Sequence, residues 1–234
     1  VLVIADPQIV DHFSYGHTGL RLGLEEFFTD LYIRKAFRLL QLLRRPDIIV
    51  VLGDLMDGGR ELAVDAAEWE IEYSRYRSIF ANWYPDRSQM YEVVGNHDIG
   101  IGRSIVGEAA SRLAERVGPF SRVVDTAGHK LVLLDTISLE SPDPKLSAEP
   151  QRLLQSLRNE TSPLVLFSHV PLWRPRDTSC GLNRQDGSTS IPHAAGRQYK
   201  TLLEPGTTYE ILAALRPAIV FSGDDHNVCE YWHR

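Results

Sequence analysis

Asp6, Asp54, Asn96, His97, Asp98, His169, Asp224 and His226 are residue types that hold divalent cations and move protons. Carboxylates, an amide oxygen and imidazoles form the ligand set of a two-metal hydrolase, in which ions about 3.5–4 Å apart clamp the attacking and leaving oxygens of a phosphoryl displacement. Two cations that close need a shared anionic ligand to offset their repulsion, and Asp54 is the candidate bridge. The run Gly95-Asn96-His97-Asp98 packs a neutral oxygen ligand, an imidazole and a carboxylate directly behind an apolar run.

These residues share a position: each follows an apolar run that reads as a strand. Val1–Ala5 ends at Asp6-Pro7-Gln8, where proline cannot donate to a sheet ladder, and Ile48–Leu52 runs into Gly53-Asp54. Met90–Val94 leads to Gly95-Asn96-His97-Asp98, Pro163–Phe167 to Ser168-His169, and Ala218–Phe221 to Ser222-Gly223-Asp224-Asp225-His226. In open α/β sheets ligands bind at the carboxyl ends of strands, so these tips are expected to converge on one pocket. Helices are expected over 31–45, 61–84, 104–117, 147–158 and 209–215. The first carries Ile33, Ala36, Phe37, Leu39, Leu40 and Leu43 near one face, arginines on the other, and a stop at Pro46. Residues 9–30 show no persistent period and read as an irregular connection. Phe120–Thr126 and Lys130–Thr136 around Ala127-Gly128-His129 read as a hairpin. Crossovers followed by a hairpin imply a mixed α/β architecture, taken as one domain over 1–234.

Composition narrows the function class. With 234 residues, 43% of them hydrophobic, the chain is long enough for a sizeable core. A net charge of −6 with no block of like charge lacks the footprint of a nucleic-acid binder. No apolar run approaches a membrane span, so the stretch given reads as soluble. Because Val1 already lies inside an apolar run and Arg234 closely follows a site motif, the natural protein is expected to extend past both ends.

The order Asp6-Pro7-Gln8, Gly53-Asp54-Leu55-Met56-Asp57-Gly58, Gly95-Asn96-His97-Asp98, Ser168-His169 and Gly223-Asp224-Asp225-His226 resembles the calcineurin-like metallophosphoesterases nearly end to end. That resemblance implies a central mixed β-sandwich flanked by helices and a binuclear centre of two divalent ions. Asp6 and His226 would hold the first metal, Asp54 would bridge, and Asn96, His169 and Asp224 would hold the second. A metal-bound hydroxide would be the nucleophile, with His97 as acid and Asp98 orienting it. Where the family usually has histidine, this chain has Gln8 and Asp224. Gln8 is a doubtful ligand, whereas Asp224 replaces imidazole with a harder oxygen donor and tilts the expectation toward Mn, with Zn, Fe or Mg as alternatives.

Those departures, with Gly58-Gly59-Arg60 and Gln198-Tyr199-Lys200-Thr201-Leu202-Leu203, resemble a narrower group: the phosphodiesterases that remove ethanolamine phosphate from mannose of glycosylphosphatidylinositol (GPI) anchors. This implies a monomeric lumenal domain of the endoplasmic reticulum or Golgi, membrane-anchored by segments outside this chain. Its substrate would be a GPI glycolipid or GPI-anchored protein. Arg60, after two glycines, is the candidate phosphate contact. Residues 171–200 form a substrate-side loop with His193, Trp173 and the cations Arg174, Arg176, Arg184 and Arg197. Asn159-Glu160-Thr161 is a glycosylation sequon, and in a secretory compartment a Cys180–Cys229 disulfide is expected. The alternatives left open are another phosphoester substrate (nucleotide, phosphoprotein or lipid headgroup) and a non-catalytic interaction domain with a degraded metal site.

Overall fold

A computed structural model describes residues 1–81, 88–184 and 188–233. The fold is mixed α/β, with sheets flanked by helices, and it resolves into two compact units: Val1–Gly100 with Ile105–Gly118, and Ile101–Ser104 with Pro119–Arg234. Each holds its own sheet.

The first unit is built on three parallel strands in the order β1 (Leu2–Ile4), β2 (Ile48–Val51) and β3 (Gln89–Glu92). The register pairs Ile4 with Val51 and Val51 with Glu92, so all three strands end on one edge. Every residue of β2 is buried, which is why its sequence is an unbroken β-branched run rather than an alternation. Parallel neighbours need long crossovers, and helices supply them. Between β1 and β2 lie α1 (His12–Tyr15) and α2 (Gly19–Arg44). Between β2 and β3 come a 3-10 turn (Leu62–Val64) and α3 (Ala66–Ile79). After β3 follow α4 (Asn96–Ile99) and α5 (Gly107–Val117).

Two expectations change here. Residues 9–30 are not irregular: most of them belong to α2, which is 26 residues long. Leu20, Leu24, Phe27, Phe28 and Leu31 do recur at helical spacing, but on a face that turns outward, so the period gives no core. The expected core face of that helix fails for the same reason. Phe37 and Gln41 are buried whereas Leu39, Leu40 and Leu43 are exposed. The helix expected over 61–84 is broken at Asp65, whose carboxylate caps α3 by accepting from the Ala67 and Glu68 amides. Its expected end, Asn82–Tyr84, lies outside the described residues.

The second unit carries a four-stranded sheet, β4 (Arg122–Thr126), β5 (His129–Leu133), β6 (Leu164–Phe167) and β7 (Ile219–Phe221), in sequence order. β4 and β5 are antiparallel, and the other pairs are parallel. The hairpin turn is Ala127-Gly128, at φ 47° and 76°, the left-handed pair that a two-residue hairpin demands. β5 stops at Leu133, short of the expected Thr136, because Asp135 caps α6 (Thr136–Leu139) through the Ser138 amide. The helices α7 (Pro144–Ser156) and α8 (Pro205–Leu215) each start with proline in the first turn, where its missing N–H is harmless.

Candidate functional site

Parallel pairing fixes the strand-tip residues of the first unit. Asp6 and Asp54 follow β1 and β2 at adjacent strand ends, and a carboxylate oxygen of one lies within 4.8 Å of one on the other. Asp54 is 1% exposed and Asn96 2%, so both present polar atoms from inside the core. Gly95 has to be glycine, because an added Cβ would sit 2.1 Å from Asp54 Oδ1. The amide of His97 donates to the same oxygen at 2.8 Å. Gln8 donates its side-chain amide to Asp54 Oδ2 at 3.4 Å and its backbone N–H to the Asp54 carbonyl at 2.8 Å. It therefore orients the carboxylate, a role its neutral amide can fill where histidine would ligate.

The ring of His97 is placed by Asp57. Its Nδ1 lies 2.7 Å from the Asp57 carbonyl oxygen and 3.0 Å from Asp57 Oδ1. Asp98, expected as the orienting partner, instead accepts the Leu55 and Gly95 amides, each at 2.8 Å. The reason is local: as the third residue of α4, Asp98 turns back to cap the helix start, which aims its carboxylate at main chain. Burial would lower the His97 pKa, but the hydrogen bond from Asp57 and the charge of Asp54 outweigh it and raise the pKa to about 9. Burial likewise pushes the Asp57 carboxyl upward, and its bonds to His97 and Ser14 overcome this and hold it below the usual value.

Arg60, expected to reach a phosphate, is engaged by the protein. Its Nη1 donates to the Asn96 carbonyl at 2.9 Å, its Nε to Glu61 at 2.7 Å, and its backbone N–H to the His97 carbonyl at 2.9 Å. Gly59 lets that strand end approach α4, since a Cβ there would lie 3.1 Å from the His97 carbonyl. Asp11, which sequence reasoning passed over, is 2% exposed and accepts from Phe13 N and Gly58 N at 2.8 and 2.7 Å. Its signal was present, since Asp11 and Ser14 form the capping box of α1.

The second unit carries its own group of strand-tip residues. Parallel β6 and β7 end side by side, and the Gly223 N–H donates to the His169 carbonyl at 2.8 Å. Fully buried His169 presents Nε2 3.6 Å from Asp224 Oδ1, a separation two ligands of one ion can share. His226 is exposed two residues on. The intervening Asp225 is gripped by Arg184, whose Nη1 and Nη2 contact Oδ2 and Oδ1 at 2.5 and 3.1 Å. Cys180 and Cys229 form a disulfide beside Ile191 and Leu202, tying the loop over 171–200 to the segment after β7. His193 sits edge-on to Trp173, ring centroids 6.3 Å apart, with its Nε2 buried and unpartnered among the described residues. Part of that loop, Gln185–Gly187, lies outside the described residues.

One backbone feature recurs in each unit. Asp6, Gln8, Asp54, Asp224 and His226 all have positive φ, between 34° and 63°. Non-glycine residues rarely adopt this region, each at a cost of about 1–3 kcal/mol, and such strain clusters where a side chain must be aimed. Oxygen and imidazole donors on strained, strand-end backbone suit divalent cations. The donor set therefore fits the two ions expected from the sequence.

Comparison with known proteins points the same way. A family model described as calcineurin-like phosphoesterase matches residues 1–228. Over 236 residues the chain is 38% identical to cell division control protein 1 of Saccharomyces cerevisiae, covering 99% of this chain and 47% of that protein. It is 24% identical over 260 residues to metallophosphoesterase 1 of Gallus gallus, covering 99% of this chain and 61% of that protein. The chain thus spans only part of the length of these relatives. Among solved structures, a dimetal phosphatase from Danio rerio aligns with a TM-score of 0.52 at 16% identity, covering 96% of this chain and 80% of that one. At that identity the likeness is one of fold.

Proposed function

The chain belongs to the calcineurin-like phosphoesterase family of metal-dependent phosphoesterases, and from that premise we propose that it is a binuclear phosphodiesterase removing ethanolamine phosphate from mannose of GPI anchors. The observation that carries the hydrolytic reading is the His97–Asp57 pair beside Asp54. A site reduced to a binding module needs no proton donor. The substrate reading is supported by the departures at Gln8 and Asp224, with Gly58-Gly59-Arg60 and Gln198-Tyr199-Lys200-Thr201-Leu202-Leu203, which resemble the GPI ethanolamine-phosphate phosphodiesterases.

In this reading both units form one domain. Asp6 and His226 would hold one divalent ion, Asn96, His169 and Asp224 would hold the other, and Asp54 would serve both. Mn is the metal proposed, because the donors are mostly hard oxygens. The ions, when bound, supply Lewis acidity and a water deprotonated near neutral pH. The residues do the rest. Asp57 occupies His97 Nδ1, which leaves Nε2 as the atom that protonates the departing alkoxide. Gln8 and the His97 amide fix the rotamer of Asp54, and Asp98 holds the turn that presents Asn96 and His97.

We place the protein, as a monomer, in the lumen of the endoplasmic reticulum or Golgi, anchored by segments outside this chain. No helix among the described residues is long and apolar enough to cross a membrane.

The test is metal analysis of the purified chain, followed by Mn-dependent hydrolysis of bis(p-nitrophenyl) phosphate and release of ethanolamine phosphate from a GPI glycan. Asp54→Ala should abolish both activities. Absence of bound transition metal together with absence of hydrolysis would refute the enzyme. Hydrolysis of the chromogenic diester with an untouched GPI glycan would refute only the substrate.

A further inference from the structure

Helix α2 leaves many of its large apolar side chains exposed, unlike a core element. The face it turns toward α3 is the polar one: Glu26 and Asp30 contact Arg75, and Arg34 contacts Ser78. Gln41 is fully buried, with Phe37 against Phe80 as the main apolar contact. The opposite face is apolar and exposed. Leu20, Leu24, Phe27 and Phe28 follow helical spacing along it, and Tyr32 is 75% exposed. Leu39 and Leu43 carry the same face toward the C-terminal end. A 26-residue helix is about 39 Å long, so this is an extended apolar strip rather than scattered surface residues.

Charge identifies what the strip faces. The chain carries −6 overall, yet residues 31–45 hold Arg34, Lys35, Arg38, Arg44 and Arg45 and no acid. Lys35 and Arg38 lie exposed within the apolar face itself. Protein interfaces deplete lysine, whereas a bilayer surface rewards this pairing: apolar side chains enter the headgroup boundary while cations meet anionic headgroups. We propose that the outward face of α2 is a docking surface for an anionic lipid bilayer. The helix lies in the plane of the surface, since its charges forbid it to span the membrane.

The position of α2 gives docking a consequence within its own unit. Its first residue is four positions beyond the end of α1, whose cap Asp11 also holds the Gly58 N–H next to Asp57. Ser14 of α1 bonds Asp57 itself. The docking helix and the partner of His97 are therefore joined by a short, hydrogen-bonded connection. The inference stands apart from the proposed reaction and would hold for any substrate.

The experiment is flotation of this 234-residue chain with vesicles of phosphatidylcholine alone and of phosphatidylcholine with phosphatidylserine. The wild type is expected to float with the serine-containing vesicles and weakly with the others. Phe27→Ser with Phe28→Ser should lower partitioning into both by on the order of tenfold or more. Lys35→Gln with Arg38→Gln should remove the preference for anionic vesicles and the sensitivity to salt. All four side chains are exposed, so circular dichroism and melting should match the wild type; Leu39→Ser with Leu43→Ser gives an independent apolar pair. Failure of the wild type to float with either vesicle overturns the proposal, as does flotation indifferent to every substitution. Self-association abolished by the Phe27 and Phe28 changes, without flotation, would assign the face to a second copy and equally overturn it.

Discussion

Asp57 Oδ1 stands 3.0 Å from His97 Nδ1, with the Asp57 carbonyl oxygen at 2.7 Å from the same nitrogen. One residue thus both orients the ring through its main chain and holds a proton on it through its side chain. Asp57→Asn keeps the first contact and removes the negative charge from the second. The expected result is a fall of about 10–100-fold in kcat with KM nearly unchanged, because the lost interaction matters only when the leaving oxygen takes its proton. Asp98→Ala should behave differently. It orphans the buried Leu55 and Gly95 amides, at about 1–3 kcal/mol each, and should appear first as a lower midpoint in urea denaturation. Equal kcat losses at unchanged stability in both variants would contradict this division of roles.

Gly95→Ala tests the close approach of α4 to Asp54. The new methyl would collide with Asp54 Oδ1 and with the Asp54 amide nitrogen, 2.3 Å from the Cβ position. The carboxylate should rotate away, releasing the His97 amide it accepts, and the backbone of the turn must also shift to clear the Asp54 nitrogen. Loss of bound metal and of activity is expected, with the parallel sheet intact by circular dichroism. A variant that retains its full metal content would show that the Asp54 rotamer is not critical.

Much of this was legible in the chain because strand tips announce themselves. The unbroken run before Asp54 is a β-strand by composition alone, and Gly95 beside Asn96 marks where backbones crowd. The side-chain partners were harder to read. Asp98 adjoins His97 in sequence, yet one turn of helix aims it at main-chain amides, while Asp57 reaches the ring from another strand end. Nothing in the spacing distinguishes these two carboxylates. The partners of Arg60 were equally illegible: its Nη1 donates to the Asn96 carbonyl and its Nε to Glu61. Helix α2 was lost because its period marks an outward face, and sequence reading equates an apolar face with the core.

Arg184 and the disulfide brace the segment that carries Asp224 and His226. Arg184 grips Asp225 between them, and Cys229 is covalently tied to Cys180. Arg184→Gln should therefore weaken metal retention, by about 10–100-fold as for other residues that support ligands indirectly. Titration calorimetry with Mn on the chelator-stripped protein measures it. Reduction of the disulfide with a thiol should act in the same direction, and its effect should be smaller in the Arg184→Gln variant if both braces hold one segment. Unchanged affinity in both cases would mean the loop is held by its strand alone.

Asp135 gives a stability prediction separate from the site. It is 1% exposed, caps α6 through the Ser138 amide at 2.8 Å, and leaves Oδ2 buried without a partner among the described residues. Burial raises its pKa to about 6, against the pull of its bonds to Ser138. The folded state therefore binds a proton more tightly than the unfolded chain. The stabilisation from this proton is complete below the unfolded value of 3.8 and is lost as pH rises through about 6. Asp135→Asn keeps the cap and cannot ionise. Relative to this variant, the wild type should lose stability between those two pH values and then level off. The change should be on the order of 3 kcal/mol, each pKa unit being worth about 1.4 kcal/mol. Urea denaturation of both proteins at pH 4, 5, 6 and 7.5 reads the difference directly. A gap that does not change with pH would show that Asp135 stays ionised in the folded protein, stabilised by contacts stronger than its cap.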